Sequence, residues 1–186
     1  MRRKAAEEFP GRLHFGRPFG YHKGAMSNRW ILVDGYSVLH AWPRFGTRKA
    51  RQMSLLQKRE ALVRVLRQYA DQNRRRVTVV FDGYAAKHKP EVAEPSHGVE
   101  VLFSEKGKTA DDVIERLVGQ SEQRAGMLVV TSDNMERRTV EALGAQSISA
   151  ELFEAEVDAA QRELAVDVRA HSRHRHIGHR RDDWET

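Results

Sequence analysis

Four short runs of almost wholly apolar residues decide most of what this chain can fold into. They are Trp30-Ile31-Leu32-Val33, Val77-Thr78-Val79-Val80-Phe81, Val99-Glu100-Val101-Leu102-Phe103 and Met127-Leu128-Val129-Val130-Thr131. Their length and their β-branched and aromatic content mark them as strands. A strand with one face in water alternates apolar and polar residues; these do not, so both faces should be covered. Glu100 interrupts the third run, which is therefore expected to be less buried than the others.

Helical spacing fills the intervals. Leu55, Leu62, Val63, Leu66 and Tyr69 recur on one face of a helix expected over roughly 51–72, and Val113, Ile114, Leu117 and Val118 on one expected over 110–124. A short helix should follow Asp133 and run to Leu143, with Gly144 ending it before a short strand at Gln146–Ser149. A last helix is expected from Ala150 to near Ala170. Strands alternating with helices predict an α/β fold: a mostly parallel central sheet with helices on both faces, in three layers.

The chain has 186 residues, 40% of them hydrophobic, enough for one core and not for two. The formal charge is +6, but it is unevenly placed. Residues 1–29 carry seven Lys/Arg against two Glu, and residues 168–186 carry five Arg against three acids. The remaining 20 basic and 21 acidic residues leave the middle close to neutral. Residues 1–28 are thus expected to be a disordered basic N-terminal arm, with Met26 as an alternative start, residues 29–167 the domain, and 168–186 an Arg/His-rich tail. Basic arms favour a polyanionic partner. The His171, His174, His176 and His179 cluster of the tail is not expected to hold a catalytic metal. No cysteine is present, which excludes disulfides, thiol catalysis and Cys-based zinc sites and fits a reducing cytoplasm. No apolar run approaches the ~18 residues that a membrane span needs.

Three of the strands end in an aspartate: Asp34, Asp82 and Asp133. A fourth acidic position, Asp111-Asp112, opens the helix after the third strand. In a parallel sheet all four share the rim where such folds bind ligands. Singly, each has a bland explanation: Asp-Gly turns at 34–35 and 82–83, a Thr109–Asp112 capping box, a helix cap at Asp133. Together, clustered carboxylates would repel one another unless a hard divalent cation such as Mg²⁺ or Mn²⁺ sat among them.

The segments carrying these acids resemble the YacP-like NYN nucleases, relatives of the PIN-domain ribonucleases. The resembling stretches are Ile31–Pro43, Val79–Gly83, Val99–Ser104 with Thr109–Glu115, Val130–Asp133, and Gly144-Ala145 with Ser149–Leu152, so the likeness spans roughly 30–160. It implies a PIN-like/NYN fold and a metal-dependent endoribonuclease of single-stranded RNA, with Asp34, Asp82, Asp111 and Asp133 as catalytic metal ligands for Mg²⁺ or Mn²⁺. It also implies 5′-phosphate and 3′-hydroxyl products, and it points to messenger RNA on the ribosome as a substrate. At the doublet the resemblance favours Asp111, which follows the matching Ala110; Asp111 also shares a helix face with Ile114 and Val118, while Asp112 suits a cap. Ser37 stands where the family often has Asn, leaving one hydrogen-bond donor fewer.

Tyr36, Ser37, Trp42, Arg44, Arg48, Lys49, Lys87, Lys106 and Lys108 are the candidate RNA contacts, with Arg51, Tyr84, His88 and Lys89 nearby. Cations would hold the backbone and aromatic rings would stack on unpaired bases. Trp42 could equally be core. Arg74-Arg75-Arg76 precedes its strand and falls at the opposite end from the acids. Gly107-Lys108-Thr109 imitates the end of a phosphate-binding loop, but that motif needs a Gly where this chain has Leu102, so no nucleotide cofactor is expected. The alternatives to a nuclease are a non-enzymatic RNA-binding or ribosome-associated adaptor on the same fold, and a hydrolase of small phosphoesters.

Overall fold

The computed structural model of the chain describes residues 30–83 and 99–178. The strands β1 (Trp30–Asp34), β2 (Arg76–Phe81), β3 (Val99–Phe103), β4 (Met127–Val130) and β5 (Gln146–Ile148) form one parallel sheet in the order β3-β2-β1-β4-β5. The α/β architecture expected from the apolar runs is the one observed.

Residue alternation along β1 accounts for the unbroken apolar strands. Ile31 and Val33 face one side, where Val77, Val79, Phe81, Leu128 and Val130 join them. That side is covered by α1 (Gly35–Ala41), α4 (Leu55–Asn73) and α7 (Ala150–Gly178), through Leu39, Leu62, Leu66 and Phe153. Leu32, Val80 and Val129 face the other side, against Ile114 and Val118 of α5 (Ala110–Gln120) and Val140 of α6 (Asn134–Ala142). Both faces bury apolar surface, so neither can alternate with polar residues.

The two polar residues that break the runs satisfy each other. Trp30 Nε1 donates to the Thr78 hydroxyl at 2.8 Å, and that hydroxyl donates to Glu100 at 2.9 Å. Glu100 also pairs with Arg76 at 3.3 Å. Its strand, β3, lies at the sheet edge and is partly exposed, as its sequence suggests.

Three boundaries differ from expectation. The helix expected from residue 51 begins at Leu55, because Ser54 caps it: the Ser54 hydroxyl accepts from Gln57 N–H while the Gln57 side chain accepts from Ser54 N–H. The preceding residues instead form α1 and two single turns, α2 (Pro43–Gly46) and α3 (Arg48–Arg51). Helix α5 stops at Gln120, and a 3-10 turn at Arg124–Gly126 leads into β4. Helix α7 runs unbroken to Gly178, past its expected end near Ala170. The N-terminal arm lies outside the described residues. Among the described residues, no helix is long and apolar enough to cross a membrane.

Candidate active site

Strand β1 lies between β2 and β4: the chain runs outward from β1 to β2 and β3, then crosses back to β4 and β5 on the other side. A crevice opens at such a switch point beyond the carboxyl ends of the strands. Asp34, the last residue of β1, stands there with only 8% of its surface exposed. Its carboxylate caps α1 by accepting the Tyr36 N–H at 3.0 Å. The following glycine is not a turn residue. A Cβ on Gly35 would lie 2.1 Å from the Phe81 ring, so its role is to let helix α1 start against that ring. Gly83 behaves similarly, since a Cβ there would lie 2.0 Å from the Ser104 carbonyl oxygen at the end of β3.

Asp82 follows β2, and its carboxylate accepts the Ala110 N–H at 2.7 Å. It therefore fastens the start of α5 to the end of the neighbouring strand. The next two residues divide their work. Asp112 and Thr109 complete a reciprocal capping box, and the Thr109 backbone N–H holds the Asp112 carboxyl below its ordinary value. Asp111 is left free to face the crevice.

Asp133 follows β4 and caps α6, accepting the Met135 N–H at 2.6 Å. One turn on, Glu136 is only 3% exposed, and neither of its carboxylate oxygens has a hydrogen-bond partner among the described residues. One carboxylate oxygen each from Asp34, Asp111 and Glu136 lie within 4.8 Å of one another. Asp82 and Asp133 stand outside this close group but near enough for their charges to act on it.

The electrostatics follow from that crowding. Burial pushes Asp34 above the usual aspartate value, against hydrogen bonds from Ser37 and Tyr36 that favour its charge, and Asp82 adds to the rise. Asp111 is raised by burial and then by Asp34, Asp133 and Asp82. Glu136 is pushed up to about 8, chiefly by burial, with Asp111, Asp34 and Asp133 contributing and the nearby Thr131 hydroxyl pulling the other way. Three carboxylates this close, one with orphaned buried oxygens, suit a hard divalent cation.

A family model, the YacP-like NYN domain, matches residues 31–185. The chain belongs to the YacP-like NYN domain family. It is 34% identical over 140 residues to the YacP protein of Bacillus subtilis strain 168, covering 75% of this chain and 81% of that one. The crystal structure of Rae1 (YacP) from Bacillus subtilis superposes with a TM-score of 0.66 at 31% identity, over 80% of this chain and 84% of that one. Its W164L mutant gives 0.63 at 29% identity, over 77% and 82%. The family match continues well beyond residue 160, where the motif resemblance ended, and takes in most of the Arg/His-rich segment.

Against this NYN frame the candidate RNA contacts separate. Trp42 is corrected to core: it has no exposed surface, and its Nε1 donates to the Ala150 carbonyl at 2.8 Å. A ring so enclosed presents no face to a base. Arg44 is likewise committed, pairing with Asp158 and with Glu154 at 3.5 Å, so it fastens α7 to the α1–α2 corner. Ser37 accepts the Ser132 N–H at 3.3 Å, its oxygen 3.4 Å from that of the Thr131 hydroxyl, linking the ends of β1 and β4 beside Asp34. Tyr36 is half-buried, with its ring edge-on to Phe81 and its hydroxyl accepting from Arg59. Arg48, Lys49, Lys106 and Lys108 are exposed, and Lys87 with Tyr84, His88 and Lys89 lies outside the described residues.

Glu136 is the residue that sequence reasoning missed. A Glu in the first turn of a helix reads as a favourable partner for the helix dipole. The only signal against that reading is its spacing, one turn after the strand-end Asp133.

Proposed function

We propose that the chain is a divalent-metal-dependent endoribonuclease acting on single-stranded RNA. The observation that carries this reading is the approach of Asp34, Asp111 and Glu136 to within 4.8 Å at the switch point of an NYN-family sheet. These three would hold Mg²⁺ or Mn²⁺, and Asp82 and Asp133 would add negative charge at the rim. A cation there supplies a water of lowered pKa and neutralises charge developing on the scissile phosphodiester. The chain's residues do the positioning. The Tyr36 N–H holds Asp34, the Ala110 N–H lets Asp82 set the start of α5 and so the place of Asp111, and Asp133 starts the turn that buries Glu136.

Exposed Lys106 and Lys108 precede Asp111, and Arg48 and Lys49 follow α2, where they would meet the RNA backbone. The basic N-terminal residues would add affinity that falls steeply with salt. Messenger RNA on the ribosome is a substrate the family resemblance suggests, and the lack of cysteine suits a cytoplasmic setting. The test is incubation of end-labelled single-stranded RNA with the protein and Mn²⁺, beside an EDTA control, with naked and ribosome-bound message compared. Cleavage that EDTA stops supports the proposal; RNA binding without cleavage would make the protein an adaptor.

A further inference from the structure

A groove of about 440 Å³ opens beside the acidic cluster, lined by Tyr36, Leu39, His40, Leu55, Lys58 and Asp82. Asp82 is its common wall with the crevice. Tyr36, Leu39 and His40 come from one face of α1, at i, i+3 and i+4, and Leu55 and Lys58 come from the first turn of α4. The proposed chemistry gives no task to Leu39, His40, Leu55 or Lys58.

The rings in this groove are ordered. Tyr36 and His40 stack with centroids 6.3 Å apart and planes inclined by 26°. Arg59, beside Lys58, donates to the Tyr36 hydroxyl, and its guanidinium lies 5.3 Å from the Tyr36 ring centre, 5.2 Å from that of Phe81 and 5.3 Å from that of Phe103. Tyr36 is thus oriented before any ligand arrives, and preorganised groups lose less entropy on binding. Leu55 is 41% exposed at the groove's lip. A lone exposed leucine needs no explanation; one facing two stacked rings and a half-buried lysine does.

We propose that this groove is a subsite for one unpaired nucleobase next to the scissile phosphate. The base lies against the Tyr36 and His40 rings and the apolar side chains of Leu39 and Leu55, and the Lys58 ammonium contacts a phosphate of the same strand. The proposal rests on the endoribonuclease reading and deepens it, because a base still paired in a duplex cannot enter the groove. The volume lies in the range of about 300–1,000 Å³ common to small-ligand pockets. An acyl chain would leave Lys58 unmatched in the wall. A nucleotide brings a π-face to the rings and the leucines and an anion to the lysine.

The test measures binding without cleavage. A short 3′-labelled single-stranded RNA and versions carrying one abasic residue at successive positions are titrated against the full chain in EDTA. At one position, base removal is expected to weaken binding about tenfold, the scale of one base–aromatic stack. Leu55→Ser and, independently, His40→Ala should shrink that penalty to under about twofold while binding the abasic RNA as the parent does. Lys58→Glu should weaken intact and abasic RNA alike and flatten the salt dependence by one contact. Melting curves identify any variant that does not fold, and the other then decides. Binding indifferent to base removal at every position overturns the subsite, as does a penalty unchanged in the folded variants. Base-dependent binding without Mn²⁺-dependent cleavage would remove the enzyme and keep the subsite; cleavage with no base dependence would do the reverse.

Discussion

The backbone N–H of Ala110 points at the Asp82 carboxylate across 2.7 Å, joining positions 28 residues apart. One strand-end acid thereby fixes the helix start that delivers another, Asp111, into the crevice. Asp34 and Asp82, expected in Asp-Gly turns, serve helix starts instead, and that role coexists with the cluster. Asp34, Asp82 and Asp133 each accept a backbone N–H at a helix start, which leaves further lone pairs on every one of them.

Asp82 substitutions should separate positioning from charge. Asp82→Asn keeps a carbonyl acceptor for Ala110 and is expected to melt within a degree or two of the parent. Asp82→Ala leaves that N–H unmet and should cost about 1 kcal/mol, the usual loss for an N-cap acceptor. Cleavage should fall less in Asp82→Asn than in Asp34→Asn, because Asp82 lies outside the closest group. Thermal melts and single-turnover cleavage of the three proteins check both statements.

Asp34→Asn should bring RNA cleavage down to the level seen with EDTA. Its melting temperature should be unchanged or higher, because burial and the Asp82 charge both disfavour the ionised Asp34 in the fold. Cleavage that survives both this substitution and chelation would mean that the activity is a contaminant's or that the metal-dependent mechanism is wrong.

The metal-free protein should lose stability as pH rises. Glu136 is pushed from 4.5 to about 8 on folding, so between those values the folded chain holds a proton that the unfolded chain has released. The stabilising protonated form is complete below about 4.5 and is lost on the way to 8; Asp34 and Asp111, also raised, act in the same direction. A buried carboxyl shifted this far accounts for a change on the order of a few kcal/mol. The melting temperature of Glu136→Gln should therefore exceed the parent's increasingly from pH 5 to pH 8, in EDTA. Added Mn²⁺ should raise the parent's value at pH 8, with release of protons measurable by calorimetry in two buffers.

Trp42→Phe should change stability and leave RNA binding alone. It removes the Nε1–H bond to the Ala150 carbonyl and shrinks a fully buried ring, which together cost roughly 1–3 kcal/mol. RNA affinity measured well below the lowered melting point should match the parent. A loss of affinity without a loss of stability would return Trp42 to the RNA surface.

The fold was legible because its signals are local. Ile31, Leu32 and Val33 announce a strand covered on both faces without reference to any distant residue. Helix α1 was not legible in the same way, since it is only seven residues long and Pro43 and Gly46 break the pattern that follows. In the candidate site, Asp34 and Asp111 could be picked out because a strand end and a helix start place them. Glu136 and Trp42 could not. One becomes a buried acid only when α6 docks against the rim, and the other becomes core only when Ala150, 108 residues away, takes its N–H.

Strand β1 precedes both of its neighbours in the chain, one of them by a long way. It pairs with residues 76–80 on one side and 127–130 on the other, so its second ladder cannot close until residue 130 has been made. Pairings of such sequence separation form slowly. The three closest carboxylates come from positions 34, 111 and 136, and a polypeptide emerging N-terminus first holds no complete set until residue 136 has been made. A protein proposed to cut RNA thus lacks its cutting site while its first 135 residues, tethered through the ribosome to the message encoding them, are being made.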